Sequence, residues 1–343
     1  MGEITVGRSL VHGLKALGYE TIELIGAHKP GTRLLLRRLG LHFRARGEPI
    51  GSSGHFLSQA DFLFFDTWLV EHLSKRRIVG PRDAHRTLVL ESFGISPEMR
   101  MPCSRWIEPR RFLTPFAIPY AWGSNTFLGF ILGETADAPI PDSEALLARV
   151  RMANTKERFG VLYTKQAKHI DDTVRALLAR LARICPIYTT ISKECGYHPG
   201  ILPPGVENLG YLPPQQWQAL LGRASFLIGI GHPLLGPAPL DALAAGCAYV
   251  NPRFVKPWFI NDEPALEISS QNPYVESIPP PFVYTVDPSN VSAVEAAVEA
   301  SLNGAARCKA IDGEAGRALL AALIPFTEAP YIARLRGILE TLA

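Results

Sequence analysis

No uninterrupted apolar run in the 343 residues reaches the roughly 20 positions a membrane-spanning helix requires, and no signal peptide precedes the first helix. The expectation is a chain without a membrane segment among these residues. Cysteine is sparse: Cys103, Cys185, Cys195, Cys247 and Cys308 form no CxxC pair and no Cys/His zinc spacing. Their odd number leaves at least one thiol free unless chains cross-link, and buried reduced cysteines are the default expectation. Strong charge is missing too. A formal net charge of +3 argues against a nucleic-acid protein, whose basic residues gather in a stripe. The basic run "SKRRI" (74–78) reads as a solvated face, with an anionic partner as the other reading. Internal repeats, low-complexity tracts and a GxGxxG dinucleotide fingerprint are all absent. What is present is core-forming material: 47% hydrophobic residues against 20% charged, over a length sufficient for two domains.

The chain opens with "GEITVGRSLVHGLKALGYETIELIG", which predicts a helix with Val6, Leu10, Leu14 and Leu17 on one face. Gly18 is its expected C-cap, and "TIELIG" the strand that follows. An α/β domain places a strand before such a helix. The expectation is thus a chain truncated or mis-started at its N-terminus, with the first strand of the N-terminal domain missing. Strands are predicted at 61–70 and 86–94, a long loop excursion over 97–125, and a linker at "GETADAPIPDS" (133–143). The predicted domains are 1–138 and 139–343. In the second, strands alternate with helices: "FGVLYTK" (159–165), a helix over 169–184, "PIYTTI", "VENLGYL", "PPQQWQALLGRA", "SFLIGI", "APLDALAAG", "CAYVN", "FVYTVD" and "VSAVEAAVEASLN". Continuous apolar strands in that rhythm predict a parallel sheet covered on both faces.

The chemistry concentrates in "FLIGIGHPLLGPAPLDALAAGCAYVNPRF" (226–254). In open parallel sheets ligands sit beyond the carboxyl ends of strands, where glycine permits close backbone approach. Gly229, Gly231 and Gly236 follow an apolar strand, and Pro237, Ala238 and Pro239 open the next helix. Its free N–H groups are expected to form an anion site suited to a diphosphate. Asp241, one turn in, either accepts from a ribose diol or simply complements the helix dipole. His232 is placed to hydrogen-bond a phosphate or a departing group. No second His or Cys stands at metal-ligand spacing, so no metal site is expected.

The motifs "GPAPLDALAAGCAYVNPRF" (236–254), "SSQNPYVE" (269–276), "YTVD" (284–287) and "NTFLGFILGE" (125–134) resemble glycosyltransferase family 18, the N-acetylglucosaminyltransferase V family. Weaker similarity reaches "GEITVGRSLVHGLKALGYE" and "LESFGISPE" (90–98). The resemblance implies a GT-B fold: two Rossmann-like domains with parallel sheets facing an interdomain cleft. It implies an inverting transfer of GlcNAc from UDP-GlcNAc to a mannose 6-hydroxyl of an N-glycan. No metal or other cofactor is required, and the setting is the Golgi lumen. The partners it implies are a UDP-sugar donor and a glycoprotein N-glycan acceptor.

Carried over residue by residue, Glu3 of the opening Gly-Glu pair matches the catalytic base. Lys165 matches a lysine at the mouth of the donor site, and Asp241 matches a ribose-binding glutamate. Glu91 and Phe93 match an acid and an aromatic near the acceptor sugar, and Lys75 falls near an acceptor-side lysine. Trp106 is a further candidate for a sugar platform on its chemistry alone, a structural ring being the other reading. Asn272 and Tyr274 are read as loop architecture.

Two departures bear on activity. Leu235 stands where the family has an acid, and Asp262 or Glu263 where it has a lysine. Hydrogen bonds to charged groups are worth roughly 1.5–3 kcal/mol each, about ten- to a hundredfold in affinity. These departures keep two alternatives in play: a catalytically inactive glycan- or nucleotide-sugar-binding module, and a transferase with another donor sugar. An epimerase-type enzyme on the same fold is a third.

Overall fold

A computed structural model of the chain describes residues 2–19, 21–25, 40–44, 62–66, 70, 74–75, 77, 79–91, 105–115, 126–135, 138–259 and 267–342. They divide into two compact units: residues 1–131 with 328–343, and residues 132–327. Both are α/β, the layout anticipated for a GT-B chain.

The first unit begins with α1 (Gly2–Ala16). Val6, Leu10 and Leu14 are buried along one face, as their spacing predicts. Gly18, at φ +87°, ends the helix. Its N–H donates to Lys15 O, and Tyr19 N–H donates to Leu14 O, the paired bonds of a Schellman cap. The strands are β1 (Thr21–Ile25), β2 (Gly40–Arg44), β3 (Phe62–Asp66), β4 (Thr87–Leu90), β5 (Phe112–Thr114) and β6 (Thr126–Phe127), in that spatial order. β1, β2 and β3 pair antiparallel, and β3 to β6 pair parallel. Leu63, Phe65, Val89 and Phe112 form the core of this sheet.

The last helix returns to this unit, whereas the expected division at 138/139 assigned it to the second domain. Gly13 explains the docking. A Cβ there would lie 2.9 Å from the side chains of Tyr331 and Leu335, so only glycine lets the final helix come so close. His12 Nε2 and Glu328 Oε1, 2.5 Å apart, tie the two helices at one end.

The second unit opens with a small antiparallel pair, β7 (Gly133–Thr135) with β8 (Ala138–Pro139), where a linker was expected. Then follow α2 (Ser143–Arg151), β9 (Glu157–Tyr163), α3 (Asp172–Leu181), β10 (Ile187–Thr189), β11 (Val206–Asn208), α4 (Pro214–Arg223), β12 (Ala224–Gly229), α5 (Ala238–Ala244), β13 (Ala248–Phe259), β14 (Glu267–Ser270), β15 (Val283–Val286), α6 (Val291–Ser301), α7 (Gly304–Ala310), α8 (Glu314–Leu323) and, back in the first unit, α9 (Glu328–Leu342).

The sheet runs β11-β10-β9-β12-β13-β15, every pair parallel, with β14 antiparallel on β13. The first strand, β9, is therefore central. β10 and β11 build outward on one side, and β12, β13 and β15 on the other. This is the doubly wound order, with its reversal point between β9 and β12. Leu177, Leu178 and Leu181 of α3 and Val294, Ala297 and Val298 of α6 join Phe226, Ile228 and Val250 in one core.

Candidate functional site

At the reversal point two neighbouring strands release their chains in opposite directions, which opens a crevice at their carboxyl ends. Tyr163 of β9 and Gly229 of β12 are register partners there. Beyond β9 come Thr164 and the half-buried Lys165, then a single helical turn, Ala167–His169. Beyond β12 come Ile230, Gly231 and His232. The two loops meet through their imidazoles: the rings of His169 and His232 stack with centroids 4.2 Å apart and planes inclined by 14°.

Both rings resist protonation. Burial, then His169 and the Lys168 ammonium, pull His232 down to about 4. Burial and Lys168 also lower His169. Each is neutral at physiological pH, and two neutral rings stack without charge repulsion. The crevice mouth thus holds two half-buried imidazoles, half-buried Lys165 and exposed Lys168.

Gly229 and Gly236, expected to line a hollow for a diphosphate, each have a neighbouring side chain where a Cβ would stand. A Cβ at Gly229 would overlap Gln271 Oε1, and one at Gly236 would overlap Tyr163 Oη. Gln271 is fully buried. Its Oε1 accepts the Gly231 N–H at 2.9 Å, its Nε2 donates to Pro233 O at 3.0 Å, and its carbonyl accepts the Leu235 N–H at 3.1 Å. The Gln271 side chain thereby takes the Gly231 N–H, one of the backbone donors of the glycine turn. Gly231, at φ +100°, keeps the turn that brings His232 to the crevice.

The helix start contributes little more. Pro237 is the N-cap and Pro239 lacks an N–H, while Leu240 and Asp241 N–H donate to Pro237 O. Ala238 supplies the one first-turn N–H outside those bonds, and its side chain is buried. Leu235, at φ +53°, is buried at 2% exposure, so the position where the resemblance implies an acid is filled by an apolar side chain.

Asp241 is 7% exposed and points into the fold. Burial pushes its carboxyl up to about 7, against the opposing hydrogen bonds of Gln218 and Trp217 from α4. Its carboxyl is held by protein partners, which neither the ribose nor the helix-dipole expectation foresaw. Nothing in the local sequence around Asp241 points to α4.

Of the residues expected on the acceptor side, Glu3 lies in the first turn of α1. Glu91 is buried just past the end of β4, its N–H donating to Leu113 O at 2.8 Å. Lys75 is exposed in a short helical turn. Trp106 is half-buried and packs against the core cluster that includes Ile107 and Phe112. Phe93, Asp262 and Glu263 lie outside the described residues. Among the described residues no three His, Cys, Asp or Glu side chains gather as a metal-ligand set. No single described helix is long and apolar enough to cross a membrane.

Sequence reasoning placed His232 and Lys165 at the crevice and missed His169, Gln271 and the Trp217–Gln218 pair. The signal for His169 was positional: it sits a few residues past a strand that proved to be central.

Residues 61–309 match the family model described as Glycosyltransferase family 18. The human alpha-1,6-mannosylglycoprotein 6-beta-N-acetylglucosaminyltransferase A is 30% identical over 253 residues, covering 66% of this chain and 32% of the relative. The mouse enzyme B is 32% identical over 241 residues, covering 64% and 29%. The chain thus spans about a third of the length of these relatives. Among solved structures, the glycotransferase of kitacinnamycin aligns over 83% of this chain and 77% of its own, at 15% identity and a TM-score of 0.47.

Proposed function

The chain belongs to glycosyltransferase family 18, and from that premise we propose that it transfers GlcNAc from UDP-GlcNAc to a mannose 6-hydroxyl of an N-glycan, with inversion and without a metal. The carrying observation is the crevice between β9 and β12, with Lys165, Lys168, His169 and His232 at its mouth. A diphosphate there meets two ammonium groups and two imidazole donors, which suits a leaving group that gains negative charge as the sugar–phosphate bond breaks. This placement lies beside the glycine turn, whose Gly231 N–H is held by Gln271.

Glu3 is the proposed base. It takes the proton of the acceptor hydroxyl as that oxygen attacks the anomeric carbon from the face opposite the diphosphate. The UDP oxygen leaves with the bonding pair, and Lys165 offsets its charge. Glu91 and Lys75 are proposed acceptor contacts, and Asp241 a ribose contact after rearrangement of its bonds to α4. The names of the relatives supply the donor sugar and the acceptor; the Golgi lumen is the proposed setting.

A second reading has a specific observation behind it: Gln271 holds the Gly231 N–H of the expected diphosphate cradle, and Leu235 is apolar and buried. It makes the chain a nucleotide-sugar- or glycan-binding module without turnover. One experiment separates the two. The chain is incubated with UDP-GlcNAc and a mannose-terminated biantennary glycan in the presence of EDTA. New β1,6-linked product supports the transferase. A melting shift with UDP but no product supports the module, and neither effect refutes both.

A further inference from the structure

The loop from β12 to α5 holds two left-handed residues, Gly231 at φ +100° and Leu235 at φ +53°. Glycine takes that conformation freely, but a leucine avoids it, because its Cβ crowds the following carbonyl oxygen. The loop's own sequence therefore does not favour the shape it has, and the hold comes from outside it.

Gln271 is that hold. It follows β14 and is fully buried. Its Oε1 accepts the Gly231 N–H at 2.9 Å, its Nε2 donates to Pro233 O at 3.0 Å, and its carbonyl accepts the Leu235 N–H at 3.1 Å. One residue thus bonds both left-handed positions and the proline between them.

The clamp is itself anchored. Gln271 N–H donates to Pro252 O at 3.0 Å. Asn251 on β13 fixes the residues on either side of Gln271. Its Nδ2 donates to Ser270 Oγ at 3.0 Å and to Asn272 O at 3.2 Å, and its Oδ1 accepts the Asn272 N–H at 3.1 Å. Asn251, Ser270 and Gln271 are all fully buried. Burying so many polar groups adds little to stability, since each forfeits its water. What a hydrogen-bonded network of this kind secures is one geometry.

The clamped loop leaves the carboxyl end of β12 at the reversal point of the sheet, next to the chain that leaves β9 toward Lys165. We infer that Gln271 is a positioning residue for UDP-sugar binding: it touches no substrate and holds the β12–α5 loop in the form that the nucleotide sugar meets. The inference rests on the proposed donor site at this crevice and adds the residue that shapes it.

The test is calorimetry with UDP-GlcNAc on the whole chain, at a temperature well below the melting point of each variant. Gln271→Met keeps the length of the side chain and removes both of its hydrogen bonds. Binding should weaken by about ten- to a hundredfold, because only molecules with the loop in place are competent. Gln271→Glu supplies the discriminating readout. Ionised, it still accepts from Gly231 but meets Pro233 O with an oxygen that carries no proton. Protonated, its hydroxyl donates to Pro233 O and the pattern of the amide returns. The ratio of variant to wild-type affinity should therefore climb toward one as pH falls from about 8 to about 5. A contribution to folding alone would leave the folded variants at wild-type affinity throughout.

Wild-type affinity in folded Gln271→Met, or a weakened Gln271→Glu whose ratio stays flat with pH, would overturn the inference and leave the donor site standing. A folded wild type without binding heat would remove the donor site, and the inference with it. Where neither variant folds, hydrogen exchange on the wild type decides. The Gly231 and Leu235 amides should be protected, and more so with UDP-GlcNAc bound. Exchange at the rate of a free loop, or no response to UDP-GlcNAc, would refute the clamp.

Discussion

Replacing Asp241 by Asn should make the protein more stable at neutral pH, and the gain should vanish in acid. The carboxyl is buried under α4 and its burial pushes it from an ordinary 3.8 up to about 7. Below about pH 3.8 the group is neutral in both folded and unfolded chains and costs nothing. Between there and pH 7 the unfolded chain releases the proton while the folded chain retains it, so folding stability falls as pH rises. At about 1.4 kcal/mol per pH unit, the interval of roughly three units amounts to about 4 kcal/mol. Above pH 7 the folded carboxyl ionises too and the loss levels off. Asn keeps the shape and the capacity to accept from Trp217 or Gln218, but it does not titrate. The measurement is urea unfolding of wild type and Asp241→Asn at several pH values between 4 and 8. Taking the difference cancels the other titrating groups, such as Glu157 and Asp287, which are lowered by their partners. The difference should change by about 4 kcal/mol across the series, on the order of 10 °C in melting temperature for a unit of this size. A difference that stays constant with pH would refute the burial of an ionisable carboxyl against α4.

Other perturbations follow from the same geometry. Gly236→Ala should cost about 1–3 kcal/mol by overpacking on Tyr163 Oη, and the double variant with Tyr163→Phe should recover most of it. Additive effects in the double variant would show that the hydroxyl is not the obstacle. Lys156 donates to Leu221 O at 3.0 Å, Gly222 O at 2.6 Å and Ala245 O at 2.5 Å, capping the ends of α4 and α5. Lys156→Met should therefore destabilise by on the order of 2–3 kcal/mol, read by urea unfolding, and an unchanged midpoint would deny the cap. Glu3→Gln should lower transfer by about 10²–10⁴-fold while UDP-GlcNAc affinity measured by calorimetry is unchanged. Product formation surviving at the wild-type rate would remove Glu3 from the reaction.

Local order was legible in the residues themselves. The period of Val6, Leu10 and Leu14 set one face of α1, and Gly18 marked its end because a left-handed residue there suits glycine. Apolar runs such as "SFLIG" became buried parallel strands, since a strand covered on both faces needs no polar alternation. His232 and Lys165 were found because strand ends are where sheets present their loops. Phe93 and the acidic pair at 262–263 lie outside the described residues, and their assignments rest on resemblance alone.

What the residues could not reveal was which distant groups would share space. Gly229 and Gly236 look alike whether a ligand or a neighbouring side chain approaches them. Only the fold brings Gln271 from beyond β14 and Tyr163 from β9 onto them. Asp241 reads as a site acid until α4 folds over it and supplies Trp217 and Gln218. The helix docked on Gly13 comes from the far end of the chain. The His169–His232 stack exists because strand order makes β9 and β12 neighbours. Secondary structure follows from short-range propensity and periodicity, which any stretch of chain carries within itself. Proximity between distant residues is set by packing of the whole unit, and it decided which polar groups face the crevice and which are buried.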